Sequence, residues 1–222
     1  MRKGFVFILF YAGFLLAIFF LAAGSIKISS GWVSLGSYTL ISIINLFLVD
    51  PSLISERLQF GGKGVNQKDR ILAFGSFLFF YPLTLIVAGL DVGRFHWTPR
   101  YSLSLQVFAF SLYNLGTLLG SWAMVSNKYF STFVRIQKDR DHEVQSSGPY
   151  RYIRHPGYAG TILSAMALPL ALGSVYAIVP AFIGSVGFII RTALEDTKLI
   201  SGLEGYHEYA SKVRYRLLPG VW

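Results

Sequence analysis

Two groups of residues in this 222-residue chain have types and spacing suited to chemistry. The first is Gly148-Pro-Tyr-Arg-Tyr-Ile-Arg-His-Pro-Gly-Tyr158, with three tyrosines, two arginines and a histidine in eleven residues, at the start of an apolar run. His155 reads either as a polar cap, because Pro156 suits a first helical turn, or as a site residue. Tyr150, Tyr152 and Tyr158 around it, fixed by Pro149 and Pro156, look more like a pocket rim than ordinary interfacial aromatics. Arg151 and Arg154 are read as topology anchors on lipid phosphate. The second group is Arg191 and Glu195, four residues apart and therefore on one helix face. Its plain reading is an intrahelical ion pair. Yet Arg191 lies within an apolar run, where a charge is costly and marks a functional candidate. An arginine fork holds carboxylates, and tyrosine faces attract cations.

The elements that must position these groups are membrane spans. The chain is 53% hydrophobic and only 14% charged, against about 25% charged residues in soluble domains. Uncharged apolar runs cover residues 5–23, 32–49, 71–90 (interrupted by Pro82) and 103–125. Each approaches the ~20 residues needed to cross a bilayer. Two more, 158–172 and 175–193, are separated only by Gly173-Ser174 and predict a tight helical hairpin. In the tail, Leu199, Leu203, Tyr206, Ala210 and Val213 recur every three or four positions and predict an amphipathic helix, weakened by Gly202 and Gly205. The expected fold is all-α: a polytopic membrane protein of about six spans with a cytoplasmic amphipathic C-terminal helix. Residues 1–126 form a four-span region and 127–222 a catalytic region, together one membrane domain.

Of the 20 Lys and Arg, all but Lys27, Arg94 and Arg100 fall on the side carrying both termini and the loops 50–70 and 127–156. The positive-inside rule makes that side cytoplasmic, in the plasma membrane of a prokaryote or the endoplasmic reticulum of a eukaryote. The net charge of +9 is thereby explained without nucleic acid. No cysteine is present, and no His or carboxylate set has metal-ligand spacing, so no metal is expected. The chain lacks a Gly-x-Ser-x-Gly elbow and a Rossmann fingerprint. Gly61-Gly-Lys-Gly64 lacks the strand before it and the Lys-Ser/Thr ending of a phosphate loop, and reads as a plain loop. Gly116-x-x-x-Gly120 is expected to pack helices, within one chain or between two.

Taken in order, Gln137, His142-Glu-Val-Gln145, Ser147-Gly-Pro-Tyr150, Arg154-His-Pro-Gly-Tyr158, Arg191-x-x-x-Glu195-Asp-x-x-Leu199 and Tyr206-x-x-Tyr209 resemble the isoprenylcysteine carboxyl methyltransferase family, within a wider group that includes membrane phospholipid methyltransferases. The resemblance covers residues 127–222. It implies S-adenosylmethionine as cofactor and a lipid-like acceptor, foremost the carboxylate of a prenylated cysteine. It also implies that Gln137, His142, Glu143, Val144, Gln145, Tyr150, His155, Pro156, Gly157 and Tyr158 line the cofactor pocket, while Arg191 and Glu195 face the acceptor. Two departures stand out. Asp196 replaces a Glu found in many members, and the Gln137–His142 spacing is shorter than in the eukaryotic enzymes. The rival readings are a sterol-type reductase using NADPH, which shares the Arg-His-Pro-x-Tyr piece, a phospholipid or small-thiol methyltransferase, and a non-catalytic scaffold or transporter.

Overall fold

The computed structural model describes residues 2–58 and 67–222; Gly61-Gly-Lys-Gly64 lies outside them. The described residues contain helices and no strand. In chain order these are α1 (Arg2–Ala23), α2 (Ser29–Leu48), α3 (Pro51–Leu58), α4 (Gln67–Phe95), α5 (Leu103–Ser126), α6 (Pro156–Leu172), α7 (Ile178–Gly202) and α8 (Tyr206–Lys212). Two short 3₁₀ turns, Lys138–Arg140 and Gly148–Arg151, lie in the long segment between α5 and α6.

Five helices, α1, α2, α4, α5 and α7, are long and apolar enough to cross a membrane. Their outward residues are large and bare: Phe10, Leu21, Phe47 and Leu103 are each about 70% exposed or more. In lipid such exposure costs nothing, because the burial that drives soluble folding has no water to escape. The sixth expected span, α6, has 17 residues, or about 25 Å of helix. It is shielded by α5, α7 and α2.

Pro82 reshapes α4 without ending it. Proline has no N–H to donate, and the helix widens into a π turn over Phe79–Leu83. The Thr84 hydroxyl donates to the Phe79 carbonyl at 2.8 Å. The helix then runs on to Phe95.

Gly116-x-x-x-Gly120 packs within the chain. A Cβ at Gly116 would stand 2.6 Å from the Gly160 carbonyl oxygen and 2.5 Å from the Ser164 nitrogen; one at Gly160 would stand 2.6 Å from the Gly120 nitrogen. Backbone contact of this kind between α5 and α6 requires glycine on both sides. At the far end of the bundle, the buried Asp91 accepts from Thr98 N at 2.8 Å and from the Ser174 hydroxyl at 2.5 Å, and Gln106 donates to the Ala171 carbonyl at 3.0 Å. The α6–α7 hairpin tip is thus tied to α4 and α5.

The hairpin forms as the sequence predicts, turning at Gly173 with φ +105. Its second arm is longer than the apolar run suggests. α7 continues nine residues past Ala193 to Gly202, carrying Glu195 and Asp196. The tail is shorter in helix than expected: α8 has only seven residues, set off from α7 by Gly205 at φ +76. The amphipathic face is nonetheless real. Leu203, Tyr206 and Tyr209 form a small buried cluster with Tyr150, against which Leu199, Ala210 and Val213 pack.

Candidate active site

Asp196 organises the near end of the bundle. It is fully buried on the last turns of α7. The Arg154 guanidinium grips it with two bonds, Nε to Oδ1 at 2.7 Å and Nη2 to Oδ2 at 2.8 Å. Arg216 Nε reaches Oδ2 at 2.8 Å, the Tyr206 hydroxyl donates to Oδ1 at 3.0 Å, and His155 Nε2 lies 3.1 Å from Oδ1. A carboxylate taken out of water is tolerable only with such paired, hydrogen-bonded partners. Arg154 is therefore no topology anchor. It is buried, and its Nη1 also donates to the carbonyls of Val213 and Arg214 at 2.8 Å. Backbone bonds from Arg154 N to Tyr215 O and from His155 N to Arg216 O, both 2.9 Å, strap the tail across this point. Arg151, by contrast, is exposed.

Arg191 is 1% exposed and does not pair with Glu195. Its partner is Asp69, at the start of α4, with Nε to Oδ1 at 3.1 Å; Nη2 donates to the Thr132 carbonyl at 2.9 Å. Asp69 Oδ2 accepts from Val134 N at 2.8 Å. The intrahelical ion pair allowed by the i,i+4 spacing is replaced because a carboxylate from another helix fills the position first. Glu195 instead accepts from the Tyr158 hydroxyl at 2.7 Å, and Arg191 lies 5.6 Å from the Tyr158 ring centre.

The segment between α5 and α6 closes over these residues. Asn127 caps the turn, accepting from Tyr129 N at 2.8 Å and donating from Nδ2 to the Tyr150 hydroxyl at 3.1 Å. The Tyr209 hydroxyl donates to the Tyr150 carbonyl at 2.7 Å. Gln137 is fully buried but turned away: its amide donates to the Tyr129 carbonyl and accepts from Arg140, both at 2.6 Å. The Gln137 N–H donates to His142 Nδ1 at 3.2 Å, and His142 packs on Tyr129 with ring centres 4.4 Å apart. Burial, then the nearby Arg135 and Arg140 charges, lowers the His142 pKa from 6.5 to about 4. The imidazole is thus neutral at physiological pH, with Nδ1 as acceptor.

A lowered histidine pKa supports the fold above the unfolded value near 6.5, and that support is lost as pH falls toward 4. Melting curves of the wild type and of His142→Asn, which keeps a polar side chain but cannot titrate, are expected to converge over that window. A constant difference from pH 7 to pH 4 would show that His142 is not titrating there.

One cavity of about 570 Å³ joins these groups. Its near end is walled by Tyr129, His142, Gln145, Tyr150, His155, Gly157, Tyr158, Glu195 and Tyr206, with Leu199 and Leu203. It continues into the bundle past Arg191 and Phe188 to Phe80, Tyr81, Tyr38 and Tyr11. Rings mark the route: Tyr158 to Phe188 at 6.0 Å, Phe188 to Phe80 at 6.1 Å, Phe80 to Tyr81 at 4.0 Å. Gly157 lets the Phe130 ring pack against the start of α6; the ring would stand 2.4 Å from a Cβ there.

Of the residues expected to hold a cofactor, His142, Gln145, Tyr150, His155, Gly157 and Tyr158 share the cavity wall, as do Arg191 and Glu195. Gln137 supports the wall from behind, Glu143 is exposed, Val144 packs in the Tyr150 cluster, and Pro156 is buried as the first residue of α6. Sequence reasoning missed Asp69, Arg154, Arg216 and Tyr129. An Asp just before an apolar run was the available signal for Asp69.

Residues 109–201 match the isoprenylcysteine carboxyl methyltransferase (ICMT) family. The match begins inside α5, earlier than the resemblance read from the motifs, and ends before Tyr206. The protein-S-isoprenylcysteine O-methyltransferase of Schizosaccharomyces pombe is 31% identical over 125 residues, covering 51% of this chain and 53% of that protein. The chain thus spans about half the length of the curated relative it matches. A solved structure of the eukaryotic intramembrane Ras methyltransferase ICMT aligns with all of this chain and 87% of that one, at 20% identity and a TM-score of 0.48. Asp69 and Arg216 lie outside the family match.

Proposed function

We propose that this chain is a membrane methyltransferase that uses S-adenosylmethionine and methylates a lipid-borne carboxylate, foremost that of a prenylated cysteine. The observation that carries the reading is the single cavity, which joins a polar aromatic end to an apolar route into the bundle. A water-soluble cofactor and a lipidic acceptor need such a two-ended site. The six-span topology, with the cavity's polar end and α8 on the cytoplasmic side, belongs to the same reading and rests on the clustering of basic residues there.

The wall suits this cofactor. When bound, S-adenosylmethionine supplies an electrophilic methyl group on a sulfonium. The faces of Tyr150 and Tyr206 favour a cation, and the neutral His142 adds no repelling charge. A reductase would need to hold the phosphates of NADPH. Of the four arginines on the wall, Arg135, Arg154 and Arg191 are already paired with Glu56 and Asp139, with Asp196 and with Asp69, which leaves Arg57 alone for three phosphates. A cofactor whose sulfonium and ammonium outweigh its one carboxylate fits that balance better than a highly anionic one.

A carboxylate acceptor is ionised at neutral pH, so no side chain need remove a proton. The chain's work is to align two reactants and exclude water. Arg191, locked by Asp69 and Thr132, stiffens the wall at the acceptor side. Glu195, held by Tyr158, would favour a sulfonium in this cavity through its negative charge.

The test is radiolabelled methyl transfer screened over prenylcysteines, phospholipids and small thiols, alongside binding of S-adenosylhomocysteine and NADPH. Tight NADPH binding without S-adenosylhomocysteine binding would sink the reading. His155→Ala is expected to abolish S-adenosylhomocysteine binding while the protein still inserts and folds, since Asp196 keeps Arg154, Arg216 and Tyr206. Unchanged binding removes His155 from the site.

A further inference from the structure

We propose that Arg57 is a carboxylate-binding residue of this cavity, taking the acceptor's carboxylate. The proposal rests on the methyltransferase reading and names the residue that selects its substrate. Four arginines line the cavity: Arg57, Arg135, Arg154 and Arg191. Three of them have carboxylate partners within 3.1 Å. Arg57, on α3, has none among the described residues. Its contacts are one long hydrogen bond, from Nη1 to the Phe130 carbonyl at 3.3 Å, and the Phe130 ring, 5.4 Å from its guanidinium carbon. Its neighbour Glu56 is occupied, accepting from Arg135 at 2.8 Å.

Placement makes this vacancy useful. The Phe130 ring that carries Arg57 also lies against Gly157, in the first turn of α6 beside His155 and Tyr158. Arg57 therefore stands one ring away from the residues expected to face both reactants. Charge balance points the same way. Arg191, Asp69 and Glu195 together sum to one negative charge at the acceptor side, which repels an incoming carboxylate. Arg191 cannot offset this with an open fork, because Nε and Nη2 are engaged. Arg57 keeps Nε and Nη2 without partners among the described residues, the two parallel donors that a carboxylate matches. A neutral lipid would leave this guanidinium facing an apolar cavity without a counter-charge, at considerable cost.

A carboxylate could also come from the methionyl end of the cofactor, and the experiment separates the two sources. The full chain in micelles is compared with Arg57→Gln and Arg57→Lys for equilibrium binding of N-acetyl-S-farnesylcysteine and of its methyl ester, which lacks the charge. S-adenosylhomocysteine and 5′-methylthioadenosine, which lacks the amino-acid part, form the second pair. The wild type is expected to prefer the acid over the ester, and Arg57→Gln to weaken acid binding by about 10- to 100-fold, the range of a charged hydrogen bond, with ester and both nucleosides unchanged. Arg57→Lys restores only part, having the charge without the fork. Loss confined to S-adenosylhomocysteine assigns Arg57 to the cofactor's carboxylate and overturns the acceptor assignment. Changes below twofold in all four ligands overturn the proposal entirely. An intact acid preference in a protein that transfers no methyl group would sink the activity and leave Arg57 standing.

Discussion

Asp196→Ala is expected to cost about 3–5 kcal/mol of stability, the price of stranding a buried charge, out of a typical total of about 5–15 kcal/mol. The substitution removes the one acceptor shared by Arg154, Arg216, His155 and Tyr206. Arg154 is left buried, with only the carbonyls of the tail. The tail should loosen first, because Arg216 and the bonds to residues 215 and 216 hold it at the same point. Chemical denaturation with limited proteolysis of the tail reads both effects. Asp196→Asn keeps the shape and some hydrogen bonds while removing the charge, so its loss should be smaller. Equal losses for Ala and Asn would assign the whole effect to charge; no loss for either would show that Asp196 is not the hub.

The second large effect concerns Asp69 and Arg191. Asp69→Ala leaves a 1%-exposed guanidinium with the Thr132 carbonyl and the Tyr158 ring but no carboxylate partner, and the expected cost is again about 3–5 kcal/mol. Replacing both partners with apolar residues of similar volume, as in Asp69→Leu/Arg191→Met, should recover most of that stability, because neither charge then needs solvating. Turnover should not recover, since the wall at the acceptor side has lost its fixed cation. Stability restored together with full turnover would make the pair purely structural. A double variant as unstable as the single one would show that the pair is not a closed unit.

Much of this architecture is legible in the residue order. The apolar runs, the tight hairpin at Gly173, the apolar period of the tail and the polar stretch before α6 follow from local rules of length, charge and spacing. Pro156 opening α6 and Gly116-x-x-x-Gly120 meeting another helix are of the same kind. Two local readings fell short because local pattern cannot weigh tertiary contacts. α7 runs past its apolar stretch because Glu195 and Asp196 find partners that keep the helix buried, and Pro82 is absorbed by a π turn over Phe79–Leu83, where the Thr84 hydroxyl bonds the Phe79 carbonyl.

The pairing of charges was the part that spacing alone could not decide. Arg191 and Glu195 sit four apart and Arg154 sits in a basic cluster, so sequence reasoning offers an intrahelical ion pair and a lipid anchor. The folded chain gives Arg191 to Asp69, 122 residues away, and Arg154 to Asp196, 42 residues away. Residue order alone carries the membrane class, five helices long and apolar enough to cross a bilayer, and the stretches rich enough in polar groups to build a site. Which charges cancel one another, and which, Arg57 among them, still face the cavity, follows from how the helices pack. The reason is physical: in a low-dielectric interior a charge takes whichever opposite charge the packing of separate helices brings within reach, and helix packing is a property of the whole bundle.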